Sequence, residues 1–166
     1  MANYSLPHFG ELDTRNLEEY YDVDIHFNGQ KIQIDLNFET NSIDTKRLSI
    51  VKQFMDNISE FDKKNKKYIE HDYANEDFDT AKTYAEHHIE NLDKDELSKF
   101  IDFRNKATSA EIQLLNSLRL IRIGYYPDSE ENFATFDYSI DPEITDQLVV
   151  IFTYPTGELN YMTMES

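Results

Sequence analysis

Between residues 20 and 39 the large apolar side chains fall on every second position, twice over. Tyr21, Val23, Ile25 and Phe27 alternate with Tyr20, Asp22, Asp24 and His26; Ile32, Ile34, Leu36 and Phe38 then alternate with Lys31, Gln33, Asp35 and Asn37. A period of two is that of a strand with one buried face. Asn28-Gly29, between the runs, supplies the two residues that most readily accept the positive φ angles of a type I′ turn. An antiparallel hairpin of residues 21–27 and 30–38 follows. Its turn also sets the register, so that Ile25 faces Ile32, Val23 faces Ile34, Tyr20 faces Asn37, Asp24 faces Gln33 and Asp22 faces Asp35.

After Asn41-Ser42 the apolar period lengthens. Leu48, Val51, Met55, Ile58 and Phe61 recur at spacings of three and four, which predicts a helix starting near Asp44 or Thr45 with either residue as its cap. The run KKNKK at 63–67 is read as the solvated end of that helix, with a resumption at Tyr68-Ile69 left open. A second helix fits Phe78, Ala81, Tyr84, Ala85, His88, Ile89 and Leu92, capped by Asp77. A third follows Asp93 through Leu97, Phe100 and Ile101, and a fourth begins at Ser109. From Leu118 the pattern is extended again, in LRLIRIGYY, NFATFDYSI, QLVVIFTY and ELNYMTME, with Thr135, Asp137 and Ser139 marking the second of these as half-exposed. The turn Tyr154 to Glu158 predicts a closing hairpin. Residues 4–12, with Pro7 and Gly10, read as a short extended segment at a sheet edge.

Strands, then helices, then strands define one α+β domain over 1–166: a mostly antiparallel sheet from the N- and C-terminal segments with a central helical block on one face. Ile25, Ile34, Leu36, Val51, Met55, Tyr84, Ile89, Ile121, Val150 and Phe152 are its predicted core.

Charge narrows the possible partners more than composition does. There are 33 acidic and 16 basic residues, a net charge of −17. Residues 1–40 carry 8 acids and 2 bases, and residues 118–166 carry 9 and 2. This excess argues against direct nucleic-acid binding and favours a basic protein as partner. No cysteine is present, which removes disulfides and thiolate chemistry. With neither a signal-like start nor a long apolar run, a cytoplasmic protein without membrane contact is expected.

No nucleophile elbow, P-loop, dinucleotide fingerprint or HExxH helix occurs, so no catalytic residue and no cofactor are assigned. The span from Glu70 to Glu90 is rich in His and acid. His87 and Glu90 share a helix face, and with His71 they are the metal candidates; His88 lies on the apolar stripe and reads as a packed histidine. The polar face of the hairpin is the more unusual feature, because like charges opposed on a sheet repel. Tyr20, Asp22, Asp24, Asp35 and Asn37 are therefore the candidate binding face. Two explanations of the Asp22–Asp35 opposition stay open: an arginine of the same chain, Arg119 or Arg122, balances it, or the face is left acidic for a cationic partner.

Leu6-Pro7-His8-Phe9-Gly10, the strand Leu17 to Val23, Asn28-Gly29 and Ile34 to Glu39 together resemble an uncharacterised family of bacterial domains. These domains open with an LPHFG-like segment followed by LEEYYDV-like and IDLNFE-like strands. The resemblance covers roughly the first quarter of the chain and carries no catalytic motif; it implies a loose kinship with immunity-type proteins of toxin systems. Two functional readings follow. One is a non-catalytic interaction protein, immunity-like, presenting an acidic surface to a basic partner. The other is a metal-dependent or carboxylate-based hydrolase using the His71–Glu90 region.

Overall fold

A computed structural model describes residues 3–166. Its strands are β1 (Asn3–Leu6), β2 (Gly10–Asp13), β3 (Tyr20–Phe27), β4 (Gln30–Asn37), β5 (Arg119–Tyr125), β6 (Ala134–Ser139), β7 (Leu148–Thr153) and β8 (Leu159–Glu165). The helices α1 (Thr45–Asp56), α2 (Ile58–Ala74), α3 (Thr80–Asn91), α4 (Lys94–Leu97) and α5 (Ala110–Asn116) all fall between β4 and β5. The fold is α+β. Strands β3 to β8 form one sheet in sequence order, antiparallel throughout except for the parallel pair β4–β5, whose connection is the whole helical block. β1 and β2 do not join this sheet; among the described residues they pair with each other alone, through a turn in which His8 and Gly10 both take positive φ.

The β3–β4 register is the one the turn chemistry predicts, with Asn28 at φ 52° and Gly29 at φ 75°. Alternation sends Ile32, Ile34 and Leu36 to one face, where they are completely or almost completely buried. Ile123, Tyr125, Phe136, Tyr138, Val149 and Ile151 continue that face across the sheet. The helices cover it: Phe54 of α1 lies edge-on to Tyr125 and against Phe133 and Phe136, and stacks on Phe61 of α2 at 4.2 Å.

Several local expectations are corrected. The helix break comes at Asn57, so 63–67 lies inside α2, where Asn65 is buried and donates to the Tyr138 hydroxyl at 3.3 Å. α3 starts at Thr80, after Asp77; Asp72 of α2 supplies its first-turn acceptor, taking the Ala81 N–H at 2.7 Å. The helices expected after Asp93 and from Ser109 are present as α4 and α5, and the side chains of Asp93 and Ser109 cap them. β6 is buried along its whole length, Asp137 included. Ile25, Ile89, Ile121 and Phe152 are only half-buried. Ile121 is displaced by a bulge: Leu120 pairs with Tyr138 and Arg122 with Asp137, leaving Ile121 as the extra residue. The bulge inverts the alternation, so Leu120 faces the helices while Arg122 and Gly124 face away.

Candidate functional site

The face turned away from the helices carries two rows of side chains, set by the registers. One runs Asp22, Asp35, Gly124, Thr135, Phe152, Tyr161; the other runs Asp24, Gln33, Arg122, Asp137, Val150, Thr163. The parallel β4–β5 pairing therefore seats Arg122 diagonally beside Asp35. Arg122 Nε lies 2.7 Å from Asp35 Oδ2 and Nη2 lies 2.9 Å from Oδ1, a bidentate fork. Asn37 Nδ2 donates to Oδ1 at 2.7 Å and Gln33 Nε2 to Oδ2 at 3.2 Å, so four donors converge on one carboxylate. Asp35 is 0% exposed.

Gly124 makes this possible. A Cβ there would lie 2.5 Å from Arg122 Nη2 and 3.1 Å from Asp35 Oδ1, so the guanidinium lies over bare backbone. Its remaining contacts are the Tyr126 hydroxyl at 3.2 Å and Asp137 Oδ2 at 3.4 Å. Burial alone would depress the Arg122 pKa; the hydrogen bonds to Asp35 and Tyr126 and the charges of Asp35 and Asp137 outweigh it and raise it.

Beside this network a groove of about 640 Å³ opens between β5 and β8, lined by Arg122, Thr135, Asp137, Val150, Phe152 and Glu165 among others. Glu39 and Asp128 stand at its rim, joined by the Glu39 N–H donating to Asp128 Oδ2 at 2.8 Å. Asp137 is 8% exposed, and among the described residues its carboxylate takes a single hydrogen bond, the long contact from Arg122 to Oδ2, with no donor at Oδ1. Burial pushes its carboxyl pKa up, Arg122 pulls it back, and the charges of Asp35 and Glu165 push it up again. It is a desolvated carboxylate with spare acceptor capacity. At the groove's outer edge Tyr161, 45% exposed, stacks on Phe152 with ring centres 4.3 Å apart.

The hairpin face expected from sequence is thus divided. Tyr20, Asp22 and Asp24 are exposed, and Asp24 meets Lys31 at 3.4 Å. Asp35 is a correction: it is buried and taken by Arg122, so it presents no charge to solvent, and the half-buried Asn37 is committed to holding it. Of the two arginines named from sequence, Arg122 balances Asp35, whereas Arg119 reaches Gln30 and, at 3.9 Å, Asp141. The metal candidates are not brought together. His71, His87 and Glu90 are exposed, and among the described residues no group of three or more His, Asp or Glu side chains is arranged to hold a metal ion. His88 is packed, its ring nitrogens 2.7 Å from the Tyr84 carbonyl and 2.8 Å from Thr145 Oγ1.

Sequence reasoning missed Asp137, Tyr126, Phe152 and Glu165. The available signal was Gly124, a strand-interior glycine of the kind that marks a close approach.

These features define an α+β domain whose sheet has one helix-covered face and one open polar face with a grooved centre. No family model, curated protein or solved structure matches the chain.

Proposed function

We propose that this chain is a non-catalytic interaction domain that receives a cationic segment of a protein partner in the groove of its open sheet face. Asp137 carries the reading. A largely buried carboxylate with one weak partner gains more from an incoming ammonium or guanidinium than a fully solvated surface acid does. Glu165, Asp128 and Glu39 around it add attraction of the same sign, and the net charge of −17 speeds encounter with a basic partner. Phe152 and Tyr161 supply a surface on which an aliphatic stem or guanidinium plane can lie.

The test is a titration of isotope-labelled protein with a lysine-rich peptide, followed by amide shifts at two salt concentrations. Perturbations should concentrate at Thr135, Asp137, Val150, Phe152 and Thr163, weaken with salt, and shrink in Asp137→Asn. Shifts spread evenly over the acidic surface, or unchanged by Asp137→Asn, would overturn the proposal.

A further inference from the structure

The sheet has two edges, and they are defended differently. β3 presents Asp22, Asp24 and His26 along its exposed side, the charged pattern that discourages another strand from pairing there. β8 reads LNYMTME, with no charge before Glu165 and neither Pro nor Gly. Among the described residues it pairs only with β7. Its pairing with β7 is regular from Phe152↔Tyr161 to Leu148↔Glu165, so this stretch is straight enough to act as a template. The groove lies alongside it, with Glu165 of β8 itself in the lining.

Resting on the interaction reading above, we infer that the cationic segment binds as an added strand along β8, with every second side chain on the open face beside Tyr161, Thr163 and Glu165 at the β8 wall of the groove. Asp137, two strands further in, contributes long-range attraction. Strand geometry supplies the spacing. Residues two apart share a face and lie about 7 Å apart, so basic residues at alternate positions would follow one another past Tyr161, Thr163 and Glu165. Backbone hydrogen bonds to the β8 edge provide affinity, and the acidic groove selects the charge of the alternating residues. The chain's own large negative charge disfavours a second copy as the added strand. Two contacts must accommodate the newcomer: Thr80 Oγ1 lies 3.4 Å from the Met162 carbonyl and Thr163 Oγ1 3.5 Å from that of Met164.

The probe is an eight-residue peptide of alternating lysine and threonine, with two backbone-methylated versions that block alternate N–H groups of opposite parity. A strand turns the N–H groups of alternate residues toward one neighbour, so one methylated version should lose about tenfold or more in affinity while the other binds like the parent. Amide exchange of alternate β8 residues should slow in the parent complex. Equal binding by all three peptides would overturn strand addition while leaving the cation-binding groove intact. Failure of every peptide to bind would overturn both.

Discussion

Gly124 lies directly beneath the guanidinium of Arg122, where a single added methyl would come within 2.5 Å of Nη2. Arginine ends are usually free to swing aside, but this one is pinned by two bonds to Asp35. Gly124→Ala is therefore expected to cost about 1–3 kcal/mol in chemical denaturation. The same substitution in an Arg122→Met background should cost clearly less, because the group it strikes is gone. Additive costs would show that the two residues do not compete for the same space.

The opposed carboxylates Asp22 and Asp35 should respond very differently to neutralisation. Asp35→Asn strands Arg122 over the sheet. Because the Arg122 side chain keeps 27% exposure, we expect about 3 kcal/mol, the lower end for a broken buried pair. Asp22→Asn, at an exposed position, should change stability by less than about 0.5 kcal/mol. Parallel urea melts of the two single variants measure the difference.

Ile34 is fully buried under the helices, whereas Ile25, on edge strand β3, is half-exposed. Ile34→Ala should cost about 2–5 kcal/mol through lost transfer energy and a cavity; Ile25→Ala should cost visibly less. Equal losses would mean that β3 is as deeply packed as β4.

His88 gives a pH signature. Burial foremost, with the charge of His87, holds its imidazole below the ordinary range, against the pull of the Tyr84 carbonyl. The unfolded chain takes up a proton near pH 6.5 that the folded chain refuses. Its contribution is intact above that pH and is lost as pH falls toward the depressed native value. Asp72 and Asp137, both raised chiefly by burial, act with the opposite sign: their contribution is lost as pH rises through their native values. The test is therefore the difference between parent and His88→Gln in thermal melts from about pH 8 to 5, with the parent losing more stability on acidification.

What the sequence made legible was local. The β3–β4 register followed from Asn28-Gly29, and the starts of the helices after Asp93 and at Ser109 from their own spacing. The Asp22–Asp35 opposition was visible, and Arg122 was one of two arginines able to resolve it. What stayed hidden was long-range. The parallel pairing that brings Arg122 beside Asp35 joins residues 87 apart in sequence, and no local pattern encodes it. The bulge at Ile121 reversed the alternation that a strict period of two would assign. Asp137 looked solvent-facing because alternation assigns a side chain to a face but does not reveal which residues, distant in sequence, crowd that face.

The pairing of Gln33 to Leu36 with Arg122 to Tyr125 has a kinetic consequence. Both the β3–β4 hairpin and the β5–β8 meander assemble from contacts close in sequence, but joining them closes a loop that spans every helix. That closure entropy is recovered only once the two halves meet, so we expect the sheet to be completed late in folding. Interactions formed at that junction, the Asp35–Arg122 fork first among them, then act chiefly on how slowly the molecule comes apart. Asp35→Asn should accelerate unfolding far more than it slows refolding.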